Sequence, residues 1–169
     1  MCNYNIIAFD CNCNYHGNMK THAAAAPPST ETWALLLSTH SVLVGKMEKR
    51  LKDAGLPPLA WYDVLWILER APEQRLRMSA LADQLVLTRF NVTRLVDRLV
   101  DAGLVARRQT KEDGRGFYAV LTQKGRALRK QMWTVYRPAI AELFNRHLNT
   151  AQHAEMQLLM RRLLEQGAT

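Results

Sequence analysis

One stretch constrains the fold more than any other, residues 71–122. Ser79 to Gln84 has the spacing of a short helix, with Leu81, Ala82 and Leu85 facing inward and Ser79 as its expected cap. Val86-Leu87 makes a turn. Thr88 then caps a second helix expected to run to Ala102, closed by Gly103 in the C′ position. Leu104–Gln109 and Phe117–Leu121 are short β-capable runs. Between them, Thr110-Lys-Glu-Asp-Gly-Arg-Gly116 is polar and turn-rich, as a hairpin tip should be. Two helices joined by a short turn form a helix-turn-helix unit, and a hairpin directly behind it completes a winged helix.

Helical patterns flank this module. Ser29 is placed to cap a helix that Thr30 and Glu31 open, and Trp33, Leu36/Leu37, His40, Leu43/Val44, Met47 and Leu51 recur along it at helical spacing. Gly55 and Pro57-Pro58 end it. The next helix, from about Leu59 to Arg70, is apolar on nearly all sides through Trp61, Tyr62, Val64, Leu65, Trp66, Ile67 and Leu68. Such a pattern predicts a central, buried helix, and Pro72 stops it. Thr122 caps a helix with Leu128, Met132, Val135, Ala139 and Leu143 on its apolar side. Pro138 removes one backbone donor there, which predicts one kinked helix rather than two. Thr150 is the expected cap of a last helix, with Met156, Leu159, Met160, Leu163 and Leu164 on one side. The expected fold is mainly α with a small β-hairpin wing, a winged helix-turn-helix flanked by N- and C-terminal helices.

Residues 1–28 read as a disordered or non-native tail. Asn recurs, no amphipathic period exists, and Ala23–Ala26 leads into Pro27-Pro28. Met19 is an alternative start. The tail lacks the basic n-region and long apolar core of a signal peptide. No apolar run in the chain approaches the roughly 20 residues of a membrane span.

Charge points to the partner. The net charge is +8, and residues 70–130 hold 14 Lys+Arg against 6 Asp+Glu. The remaining residues are balanced, so all the excess lies in the helix-turn-helix and hairpin. That placement suits a face for a polyanion, double-stranded DNA above all. An Arg-rich solvated surface and a basic face for an acidic protein in an assembly module are the competing readings.

Successive residues of the second helix are 100° apart, which puts Val92, Leu95, Val96 and Leu99 on the core side. Phe90, Arg94, Asp97 and Asp101 fall opposite, with Asn91 and Arg98 on one flank and Arg89 and Thr93 nearer the other. Arg donates bidentately to guanine, Asn pairs with adenine, and Thr reaches a phosphate or a thymine methyl. Phe90 fits either a thymine methyl or a partly covered surface aromatic. With Thr88 at the helix start, these residues form the candidate major-groove face. The hairpin adds Arg107, Arg108, Lys111 and Arg115, with Asp113 placed to anchor the tip. A lone Arg between two glycines suits a narrow minor groove, where the negative potential is enhanced.

Met78-Ser-Ala-Leu-Ala-Asp, Thr93-Arg-Leu-Val-Asp-Arg-Leu, Ala102-Gly-Leu-Val, Asp113-Gly-Arg115 and Leu121-Thr-x-Lys-Gly125 resemble the MarR family of bacterial regulators over about residues 31–166. The resemblance implies a single domain, 29–169, in which 29–56 and 123–169 form dimerisation helices and 57–122 a winged-helix DNA-binding lobe. It implies a homodimer on a pseudo-palindromic operator, Asp113 and Arg115 as wing residues, and base reading by Arg94 and its neighbours. It implies a small-molecule site between the dimer helices and the lobe, often for aromatic acids or phenols, and a repressor released by that effector. Phe90 and Asn91 depart from the small polar residues the family tends to have there, so the operator sequence cannot be carried over.

Trp33, His40, Trp61, Tyr62 and Trp66 are the candidate effector residues, since flat walls with polar tips suit a planar anion. Tryptophan used for core bulk is the competing reading. Asp63, inside an apolar helix, is expected to pair with an arginine. Cys2, Cys11 and Cys13 all lie in the tail and have neither disulfide-framework nor zinc spacing. A redox-sensing regulator built on Cys11 or Cys13 is a further alternative. Their absence elsewhere fits a cytoplasmic protein. His16, His22, His40, His147 and His153 show no metal-binding spacing, and no catalytic motif is present, so neither cofactor nor enzyme activity is expected.

Overall fold

A computed structural model describes residues 28–85, 89–109 and 116–166. Its elements are α1 (Pro28–Asp53), α2 (Leu59–Arg70), a 3₁₀ turn (Pro72–Gln74), β1 (Arg75–Arg77), α3 (Met78–Gln84) and α4 (Arg89–Asp101). There follow β2 (Val105–Gln109), β3 (Phe117–Leu121), α5 (Gln123–Leu143), a second 3₁₀ turn (Asn145–His147) and α6 (Thr150–Gln166). The chain divides after Leu36 into two compact units. The described part of the first is the opening of α1, which begins at Pro28, one residue before the expected cap, and where Trp33 and Leu35 are exposed. The second, residues 37–169, holds the remaining elements.

The all-round apolar pattern of α2 has a direct explanation: the helix lies between two cores. Leu59 and Tyr62 pack with Met47 and Leu51 of α1 and with Met132 and Ala139 of α5. Val64, Leu65 and Leu68 pack with Leu81 of α3, with Val92, Val96 and Leu99 of α4, and with Ala119 and Leu121 of β3. Trp66 departs from the expected burial, standing 37% exposed. Pro58 has no side chain able to cap α2. Glu48 reaches across from α1 instead, its Oε1 accepting the Leu59 N–H at 3.0 Å.

The wing is more than a hairpin. A third strand, β1, pairs with β3, giving an antiparallel sheet in the order β1-β3-β2. Leu76 stands opposite Ala119 on the core side, and Arg77 opposite Tyr118. The approach to β1 is tight, because Glu73 and Gln74 take φ values of 50° and 54°, in the left-handed region that non-glycine residues rarely occupy. Arg75 pairs with Glu73 at 2.7 Å, and Arg126 of α5 donates to Gln74, so both turn residues are tied down. Ser79 is not the cap of α3. That helix begins directly after Arg77, without a side-chain cap.

Gly103 is the residue α4 needs at its end. Its φ is 71°, its N–H reaches Val100 O and the Leu104 N–H reaches Leu99 O, both at 2.8 Å. This pair of bonds satisfies the last carbonyls and turns the chain into β2. Thr122 caps α5 as expected, accepting from the Gly125 N–H at 3.0 Å. Gly125 itself is fixed by close approach: a Cβ there would lie 2.2 Å from the Leu104 carbonyl oxygen. Gly125→Ala therefore forces the helix away from the wing, at an expected loss of about 1–3 kcal/mol. Urea unfolding checks this, and an unchanged midpoint contradicts the packing described.

α5 continues through Pro138 as one helix. α6 is capped by Asn149 rather than Thr150. The Asn149 side chain accepts the Gln152 N–H at 3.0 Å, and Gln152 Oε1 accepts the Asn149 N–H at 2.9 Å, a reciprocal capping box. Every residue of α6 from 157 to 165 is exposed, including Leu158, Leu159, Met160, Leu163 and Leu164. No described helix is long and apolar enough to cross a membrane.

Candidate nucleic-acid interface

α4 divides as its periodicity predicts. Val92, Leu95, Val96 and Leu99 are buried against α2 and the sheet, while Asn91, Thr93, Arg94 and Arg98 are exposed. The mechanism is elementary: four apolar side chains on one side fix the helix rotation, and the polar ones are carried outward. Thr88 and the side chains of Arg89 and Phe90 lie outside the described residues, as do Lys111, Asp113 and Arg115 at the wing tip. Cys2, Cys11, Cys13 and the rest of the tail to residue 27 also lie outside them.

The two hairpin arginines on β2 take opposite sides of the sheet. Arg107 shares the side of buried Val105, and Arg108 points the other way and is exposed. Arg107 Nη2 lies 2.6 Å from Asp97 Oδ1, joining β2 to α4. Sequence reasoning placed both residues on the binding face without pairing them. On the outer side of the sheet, Arg75 and Arg77 of β1 stand 4.9 and 5.8 Å from the Tyr118 ring. These two arginines escaped the sequence reading because β1 did.

Of the five candidate effector residues, the structure brings only Tyr62 and Trp66 into ring contact, at 6.3 Å and nearly parallel. Trp33 belongs to the first unit, His40 is exposed on α1, and Trp61 packs against the core of the lobe. Two aromatics that the sequence reading did not single out complete the cluster. Trp133 stacks on Tyr62 at 6.0 Å, and Tyr136 meets Tyr62 edge-on at 5.0 Å. Their spacing of three on α5, one turn beyond Arg129, was the available signal.

Arg129 forms a 2.6 Å ion pair with Glu69, the side chains 11% and 16% exposed, and lies 5.4 Å from the Trp66 ring. Arg70 stands 5.3 Å from the same ring. A hollow of about 410 Å³ opens beside Trp66, lined by Ile67, Arg70, Ala71, Pro72, Leu76 and Gln84. Burial raises the Tyr62 hydroxyl pKa, opposed by the charge and hydrogen bond of Arg129. Among the described residues, no group of His, Cys, Asp and Glu is arranged to hold a metal.

Asp63 has no arginine partner among the described residues. Burial first, and the Glu48 carboxylate second, push its pKa from 3.8 up to about 6. As pH rises from 3.8 through 6, the unfolded chain loses this proton before the folded one does. Stability from this group is therefore lost across that window. Asp63→Asn is expected to flatten the decline and to raise the urea midpoint above pH 6. Equal midpoints for variant and wild type at pH 5 and pH 8 contradict the assignment.

Comparison with known proteins agrees with this architecture. A profile of the MarR family matches residues 54–116. The chain is 32% identical over 129 residues to the HTH-type transcriptional repressor Rv2887 of Mycobacterium tuberculosis, covering 76% of this chain and 90% of that protein. It is 28% identical over 94 residues to the HTH-type transcriptional regulator YkoM of Bacillus subtilis, covering 56% of this chain and 59% of that protein. Among solved structures, Sco3205, a MarR family transcriptional regulator from Streptomyces coelicolor solved in complex with DNA, superposes with a TM-score of 0.76 at 27% identity. That match covers 88% of this chain and 92% of the other. The chain belongs to the MarR family, whose members are winged-helix transcriptional regulators and not enzymes.

Proposed function

We propose that two copies of this chain bind a pseudo-palindromic DNA operator, each laying α4 in a major groove and its wing tip in the adjoining minor groove, and repress transcription there. One observation carries the reading: α4 buries its apolar side completely and turns Asn91, Thr93, Arg94 and Arg98 outward. Arg108 on the outer side of β2 is placed for phosphate. Lys111, Asp113 and Arg115 are assigned to the wing tip from the sequence, with Thr88, Arg89 and Phe90 at the start of α4. α6 supports pairing, since its leucines are left exposed by the described residues. A two-fold partner covers them and sets two α4 helices about 34 Å apart, one turn of DNA. Selection of bound duplexes from a random pool tests this reading. The expected product is a two-fold symmetric site whose binding falls steeply with salt as counterions leave the phosphates. Recovery of no preferred sequence contradicts it.

The hollow beside Trp66 supports an effector reading. An indole wall and the Arg70 guanidinium suit a planar aromatic carboxylate, and the hollow abuts α3 and the approach to β1. A ligand that binds better to a form with displaced α4 helices releases DNA by population shift. Salicylate or a similar aromatic acid is expected to quench tryptophan fluorescence and weaken operator binding, both effects being reduced in Arg70→Gln. Quenching with unaltered DNA affinity separates the hollow from regulation.

A further inference from the structure

We propose that Asp97 and Arg107 act as a clip that sets the wing against α4, so that Arg107 is a positioning residue and not a phosphate contact. The proposal rests on the DNA-binding reading above. Three observations lead to it.

The first is direction. Along β2, Val105 is buried and Arg107 shares its side of the sheet, the side on which α4 packs, whereas Arg108 faces outward. Arg107 is thus aimed at α4 by strand alternation. It stands opposite fully buried Ala119 of β3, the middle strand, which holds β2 along its one paired edge.

The second is the partner. Asp97 lies three residues after Arg94 and on the same side of α4. A bare carboxylate there would repel a DNA backbone lying along the helix. At 2.6 Å the Arg107 guanidinium neutralises it, and the two charges leave the face together.

The third is magnitude. The side chains are 34% and 46% exposed, and a pair this open contributes little to global stability. What it does set is the angle between two contact elements. α4 and the wing are otherwise joined by the turn at Gly103 and by packing near Val105, at the far end of β2 from the tip. Arg107 stands two residues beyond Val105 toward the tip, and its ion pair ties that part of β2 to α4.

The clip and the phosphate contact predict opposite signs for one substitution. If Arg107 serves phosphate, Asp97→Asn releases a cation and removes a repulsive anion, and binding tightens. If the clip holds, Asp97→Asn loosens the wing and binding weakens, by about five- to tenfold. The probe is the duplex selected by the wild-type protein, at fixed salt. Adding Arg107→Gln to Asp97→Asn is expected to cause no further loss, because one interaction is removed only once. Asp97→Glu, which keeps the carboxylate, is expected to bind near the wild-type level. Urea midpoints of all variants should match the wild type, which separates positioning from a damaged fold. Tighter or unchanged binding by Asp97→Asn, or a further loss in the double variant, overturns the clip while leaving the DNA-binding reading intact. Failure of the wild type to bind any duplex overturns both.

Discussion

Leu159→Glu/Leu163→Glu is expected to leave the protein monomeric at micromolar concentration and unable to hold its operator. Both leucines stand on the exposed stripe of α6, at 49% and 59% exposure, in a helix with nothing buried from 157 to 165. Fully burying one leucine side chain is worth ~1.5–3 kcal/mol; with about half of each left for a partner to cover and two-fold symmetry counting each position twice, the variant forfeits on the order of 3–6 kcal/mol before association costs. The introduced carboxylates add like-charge repulsion across the axis. Because these positions face away from both internal cores, the lobe itself should keep its fold and its circular-dichroism spectrum. Sedimentation of the variant as a stable dimer would show that α6 is covered in some other way.

Arg94→Ala is expected to weaken operator binding roughly 5- to 150-fold, about 1–3 kcal/mol, and to relax base preference at the position it reads. Its side chain leaves α4 on the exposed side, opposite Val92 and Val96, so truncation opens no cavity in the core. Arg108→Ala offers the contrast. A phosphate contact carries no sequence information, so its loss should weaken all duplexes alike and lower the salt slope by about one unit. Titration of both variants against the selected duplex and a scrambled one separates base reading from phosphate contact. Equal losses on both duplexes for Arg94→Ala would remove it from the base-reading set.

The helices were legible because their periodicity is strong and their ends are marked. α2 was readable to the residue, since Pro58 precedes it and Pro72 closes it. The rotation of α4 followed from four apolar positions, and its end from Gly103. β1 was not legible: Arg-Leu-Arg has no pattern long enough to speak, and it becomes a strand only by pairing with β3. The cap of α6 was misread because two polar neighbours compete there. Asn149 and Thr150 both suit an N-cap, and the choice falls to Asn149 because Gln152 stands three residues on to close the box. The Asp97–Arg107 pair and the Tyr62–Trp133 stack join elements distant in sequence, which no single-segment pattern encodes. Asp63 was misjudged for a related reason, since burial under other elements, and after it the Glu48 carboxylate on another helix, raise its pKa.

Cleavage of the selected duplex by hydroxyl radicals, with and without bound protein, tests the pairing of two α4 helices on DNA most directly. The account predicts two equal protected patches per strand, centred about one helical turn apart and related by a two-fold axis, with further protection outside each where the wing tip enters the minor groove. A single protected patch, or two patches without that symmetry, would contradict it.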